Sequence, residues 1–199
     1  MCLFDQIAAS QHGRCIANLA MRFGVGEAAA GIAVTHLVDA MTPGLDAWIS
    51  SDDGMIEFIG VLSRTNFDGV RLDPMRFADP AMRELGDRLV KAWRGAARFD
   101  KARLHQAEFG SGMLPVKLDR LMPLVAVQLM AAIQIRAAKP MRAILARRRG
   151  QAYALGVREP FAAVLALIAG PTSARPAKGL FEALLEAPMS KGRIAVAGR

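Results

Sequence analysis

The chain has 199 residues, enough for one domain with an appendage and a sizeable core. Its 53% hydrophobic content is carried by Ala, Leu, Val, Ile and Met with only 6% aromatic, which favours helix over sheet and excludes a disulfide scaffold, since there are only two cysteines. The net charge of +8 is uneven: residues 1–135 hold 14 Lys/Arg against 15 Asp/Glu, residues 136–199 hold 12 against 3. A basic C-terminal third of this kind suits polyanions or an anionic surface.

Strand-length runs with period-two alternation are missing, so the expected fold is all-α, a multihelical bundle. The start, MCLFDQIAASQHGRC, has no basic region ahead of an apolar stretch, so a secretory signal is not expected and a reduced, cytoplasmic setting is. A short helix over Cys2–Ala9 puts Leu3, Phe4 and Ile7 on one face and breaks at Gln11-His12-Gly13. CIANLAMRF follows, with Ile16, Leu19, Ala20 and Phe23 at helical spacing and a stop at Gly24. The next helix runs from Glu27 to Met41, with Ala30, Ala33, Val34, Leu37, Val38 and Met41 as its stripe, and ends at Thr42-Pro43-Gly44.

Helix, glycine turn and helix is also the outline of a DNA-reading helix-turn-helix. The second helix carries Glu27, Thr35, His36 and Asp39 but no Lys or Arg, and phosphate repels such a surface. The unit is therefore read as a structural corner.

Ser50-Ser51-Asp52-Asp53 caps a helix over Gly54–Leu62. Arg64 to Pro74 reads as a loop. Asp79 as N-cap with Pro80 after it opens a helix that buries Met82, Leu85, Leu89, Val90 and Trp93. Asp100 opens another, which runs into Phe109-Gly110-Ser111-Gly112.

The most apolar stretch then begins. From Leu121 to Ile135 no residue is charged, and only Gln128 and Gln134 are polar. Fifteen such residues fall short of the roughly 20 a bilayer span needs, so a helix buried nearly all round is expected. Pro115 sits in its first turn, Pro123 predicts a kink or break, and Lys139-Pro140 is expected to close it. An offset of 88 residues lays Gly24 on Gly112, Ala30 on Leu118, Ala33 on Leu121, Leu37 on Val125 and Met41 on Leu129. The offset predicts an internal repeat of two related helix-turn-helix-like corners.

LFDQ, LAMRFGVGEAAAGIAVTHLV, LDP at Leu72–Pro74, GDRLVKAWRG and SGMLPVKLDRLMPLVAVQLMAAI occur in that order. In this series residues 1 to about 138 resemble the YidB-like bacterial proteins, a domain family of unknown function. The resemblance implies a multihelical cytoplasmic domain over 1–138 and no activity, substrate or cofactor.

Residues 139–199 form a basic, Ala/Arg-rich extension outside that resemblance. Arg142, Arg147, Arg148, Arg149 and Arg158 are its candidate polyanion-binding residues. Phe161–Ala169 is apolar enough to need a partner surface, and Gly170–Lys178 reads as a linker. Three readings fit: the extension docks on the core, binds nucleic acid by counterion release, or lies on an anionic membrane with Phe161, Val164, Leu165 and Ile168 inward.

No catalytic set is recognisable. His12, His36 and His105 are scattered, and His36 with Asp39 falls short of a zinc site. Asp52, Asp53 and Glu57 lack an EF-hand pattern. FGVG and FGSG are not phosphate loops. Cys2 has no partner base, and Cys15 sits among apolar neighbours. The sequence therefore predicts no catalysis, cofactor or small-molecule substrate. It predicts binding or scaffolding through apolar helix faces, with a protein partner or a second copy, and nucleic acid or anionic lipid at the extension as the alternative.

Overall fold

The uncharged run becomes the middle of the longest helix, and every residue from Leu121 to Gln134 is buried. A computed structural model describes residues 3–149, with side chains over 4–138. Among them are eight α-helices, a 3-10 turn at Pro74–Ala78 and no strand, so the fold is all-α and multihelical. The helices are α1 Leu3–Gly13, α2 Cys15–Phe23, α3 Glu27–Ser50, α4 Asp52–Arg64, α5 Phe67–Leu72, α6 Pro80–Ala96, α7 Lys101–Ser111 and α8 Pro115–Arg149.

Local chemistry sets most of the boundaries. The Ser51 hydroxyl accepts from Gly54 N at 3.1 Å and opens α4. Asp79 accepts from Ala81 N to open α6, and Asp100 accepts from Ala102 N and Arg103 N to open α7. Each pairing satisfies backbone donors that the first turn leaves free. Gly24 and Gly112 end α2 and α7 in the left-handed region, at φ +60° and +65°, where a side chain would be strained. Each is followed three residues later by the next helix, at Glu27 and at Pro115.

Four local expectations give way to packing. α3 does not stop at Thr42-Pro43-Gly44 but continues to Ser50. Its apolar stripe carries on beyond the proline with Leu45, Trp48 and Ile49, all buried, and that burial outweighs one missing backbone donor. Arg64–Pro74 is not all loop, because Phe67 and Val70 bury themselves and wind α5. α8 does not break at Pro123, and it passes Lys139-Pro140 to reach Arg149.

Two long helices, α3 and α8, organise the rest. α6 lies between them and packs on both; α3 also receives α2 and α7, and α8 receives α1 and α5. The close approaches are at glycines. A Cβ on Gly44 would lie 2.6 Å from Trp93 O, and one on Gly86 only 2.3 Å from Pro123 O, so α6 meets both long helices backbone to backbone. Across α4, α3 and α6, Phe58, Trp48 and Trp93 form an aromatic chain with ring centroids 5.9 and 6.4 Å apart. Such tilted and edge-on pairs are favourable beyond the area they bury.

By length and composition Pro115–Ala138 of α8 could cross a bilayer, yet 89% of its most apolar window is buried inside the protein. Its apolar surface is taken by other helices.

Candidate functional site

The two glutamines of the apolar run are structural anchors. Gln134 Nε2 donates to Leu62 O at 2.6 Å and to Thr65 O at 3.3 Å, at the end of α4. Gln128 Nε2 donates to Val70 O at 3.3 Å, near the end of α5. Carbonyls in a last helical turn lack intrahelical donors, and the two amides supply them from inside the core. Gln134→Ala is therefore expected to cost about 1–3 kcal/mol by leaving buried acceptors unpaired. Urea unfolding checks this, and a change below about 0.5 kcal/mol, the range of neutral surface substitutions, would count against the anchoring role.

Val70 O accepts a second amide, from Gln11 Nε2 at 3.1 Å, while Gln11 Oε1 accepts from Asn18 Nδ2 at 2.8 Å. Gln11 is almost fully buried. It gets there through an unusual backbone, with φ +54° at Gln11, +58° at His12 and +78° at Gly13. Left-handed geometry costs a non-glycine residue roughly 1–2 kcal/mol. The two side-chain hydrogen bonds, to Val70 O and from Asn18 Nδ2, hold it there. The break at Gln11-His12-Gly13 was legible in the sequence, but the inward turn of Gln11 was not.

Beside this polar seam lies a cavity of about 210 Å³ between α1, α5 and α8. Gln6, Ser10, Arg71 and Gln128 give it polar edges, and Ala9, Ala131, Ala132 and Ile135 its apolar surface. Ser10 Oγ is turned back to Ile7 O at 2.7 Å. Gln6 Oε1 is buried with no hydrogen-bond partner among the described residues.

Large apolar side chains are exposed mainly elsewhere. Phe109 is 73% exposed, Met21 70%, Leu114 66% and Val116 63%. All four lie within a turn or so of the glycine caps at Gly24 and Gly112. Those two turns are tied together: Lys117 Nζ donates to Phe23 O at 2.7 Å, placing a cation on the last carbonyls of α2. Ile32, also partly exposed, sits against Gly110. Exposed apolar residues thus flank both glycine turns, where the sequence pattern did not single them out because Phe109 and Leu114 sit at turns, outside any periodic stripe; Met75, on the 3-10 turn, is as exposed at 74%.

The residues weighed for chemistry stay apart. No group of three or more His, Cys, Asp or Glu side chains able to hold a metal occurs among the described residues. Asp39 faces Arg103 at 4.0 Å, and His105 meets the Phe109 ring at a tilt, with centroids 4.2 Å apart. Cys15 is fully buried. Burial pushes its thiol up to about 11, against a smaller opposing hydrogen bond from Ser10. Raised and fully buried, it is a packing residue and a poor nucleophile. Arg142, Arg147, Arg148 and Arg149 stand on the part of α8 whose side chains lie outside the described residues, and Arg158 lies outside them altogether. No family model, curated protein or solved structure matches the chain.

Proposed function

We propose that this is a YidB-like cytoplasmic protein whose role is non-catalytic binding or scaffolding, built on two related helical corners and meeting a protein partner, or a second copy of itself, through apolar helix surface. The observation that carries the reading is the cluster of Met21, Phe109, Leu114 and Val116 around the two glycine turns. Exposed apolar residues scattered singly are ordinary, but several around two turns tied to each other are what an interaction surface would use. The duplication part rests on the 88-residue offset, which also relates the ends of α2 and α7 and the starts of α3 and α8. The paired core positions Ala33 and Leu121, Leu37 and Val125, Met41 and Leu129 are all buried.

Phe109→Glu combined with Leu114→Glu tests the binding role. Light scattering and analytical ultracentrifugation over a concentration series are expected to show self-association weakened by about tenfold or more, as for central interface residues. The melting curve should move little, because both positions are exposed. A wild-type chain that stays strictly monomeric, with partner capture unaffected by the double substitution, would sink the reading.

The charge asymmetry supports a second reading, in which Arg142, Arg147, Arg148, Arg149 and Arg158 bind nucleic acid or an anionic membrane. Binding of a random-sequence DNA duplex, steeply weakened by salt and absent from a chain ending at Ala138, is its signature.

A further inference from the structure

Four buried side-chain polar atoms have no hydrogen-bond partner among the described residues, and two of them belong to residues lining the cavity between α1, α5 and α8. They are Gln6 Oε1, an acceptor, and Arg71 Nε, a donor. Asp68 Oδ1 stands 3.5 Å from Arg71 Nε, which offsets part of the guanidinium charge without completing a hydrogen bond. Buried polar groups are almost always paired, and each exception calls for a cause. One acceptor and one donor left open on the same cavity share a cause if a molecule belongs between them.

Burial gives the cavity a direction. Gln128, Ala131 and Ala132 are nearly fully buried and form its floor, while Ala9 and Ile135 are exposed and mark its mouth. The polar groups of the floor are already engaged: Gln128 Nε2 donates to Val70 O at 3.3 Å, and Ser10 Oγ to Ile7 O at 2.7 Å. Water alone fits such a space poorly. A water takes roughly 30 Å³ and needs two to four polar partners, so several would share about 210 Å³ with two open polar atoms and alkyl walls.

We propose that this cavity binds a small neutral molecule carrying a carboxamide. The amide carbonyl accepts from Arg71 Nε, its N–H donates to Gln6 Oε1, and an apolar body lies against Ala131, Ala132 and Ile135. The volume suits a body of one ring or a short branched chain, since about 150 Å³ already holds benzene. Other chemistries meet only half of the lining. A carboxylate would satisfy Arg71 but set an anion against Gln6 Oε1 and the nearby Asp68 carboxylate. An ammonium would satisfy Gln6 and face the Arg71 guanidinium. A hydrocarbon would leave both atoms unpaired and shut off from water, and an alcohol must serve both from a single oxygen.

Benzamide is the probe, titrated into the full chain labelled with nitrogen-15 and followed by amide chemical shifts. Saturable shifts are expected at residues 6–10, at Arg71 and at residues 128–135, with a Kd of about 1 mM or tighter. Benzoate, benzylamine and toluene should each bind at least about tenfold more weakly. Gln6→Leu, at a half-buried position, should keep the fold, weaken benzamide by about tenfold and leave toluene no weaker than before. Ala132→Leu should fill the floor and abolish binding of every probe; if that variant does not fold, the loss of amide preference in Gln6→Leu decides alone. No saturable binding by about 10 mM benzamide, or shifts confined to other residues, would overturn the site. Benzoate or benzyl alcohol binding as tightly as benzamide would overturn the carboxamide assignment, and so would an unchanged benzamide Kd in Gln6→Leu.

Discussion

Gly86→Ala is expected to destabilise the protein by about 1–3 kcal/mol, although alanine is the better helix former. The added Cβ would sit 2.3 Å from Pro123 O and 2.7 Å from Pro123 C. Those are backbone atoms, with no rotamer to move aside. α6 and α8 would have to part, and the buried side chains of the two helices, Leu85 and Leu89 on α6 and Leu121 and Val125 on α8 among them, would lose packing. Gly86→Leu should go further and cost the cooperativity of unfolding as well. Gly95 supplies the control on the same helix: it is exposed, and a Cβ there meets nothing within 4 Å. Gly95→Ala is expected to stabilise by about 0.4–1 kcal/mol, through the entropy of the unfolded chain. Urea unfolding followed by circular dichroism separates the two. Equal effects at the two positions would show that α6 and α8 do not meet as closely as described.

Trp93→Ala is expected to be the most damaging single truncation, at about 3–5 kcal/mol, or roughly 6–20 °C in melting temperature. Trp93 is fully buried, and it reaches from α6 to Trp48 on α3, which in turn meets Phe58 on α4. Removing it opens a cavity where three helices meet. Its Nε1–H is buried with no hydrogen-bond partner among the described residues, so the indole carries a desolvation cost that a phenyl ring lacks. Trp93→Phe should therefore cost less than half as much as Trp93→Ala. Calorimetry of the two variants decides it. An alanine variant within about 1 kcal/mol of wild type would mean that the site collapses to fill the space, at the low end of what core truncations show.

The contrast between these predictions and the sequence reading follows from distance along the chain. Caps at Ser51, Asp79 and Asp100 and stops at Gly24 and Gly112 are contacts within three or four residues, so they could be read without a fold. The buried stripe of α8 was equally legible, because burial on every side leaves an unbroken apolar run. The prolines were not. Pro43 and Pro123 signal interruption locally, and nothing nearby in sequence records that Leu45, Trp48 and Ile49, or Leu124 and Val125, have a partner surface waiting beyond them.

The candidate site was legible only in fragments. Gln128 and Gln134 stood out as polar residues in an apolar run, but their partners, Val70 O, Leu62 O and Thr65 O, lie 58 to 72 residues away. Phe109 and Leu114 were visible as residues flanking a glycine turn; that Lys117 ties this turn to Phe23, 94 residues back, was not. By itself the sequence determined an all-helical fold for the described residues, the chemistry of its helix ends and which residues need burial, since propensity, capping and periodicity act over one or two turns. Only the tertiary structure decided that α3 and α8 outrun their prolines, that Gly44 and Gly86 admit α6 between them, and which apolar residues remain outside. Those outcomes depend on which surfaces meet, and burial summed over a whole helix face outweighs a local penalty of about 3 kcal/mol at a proline.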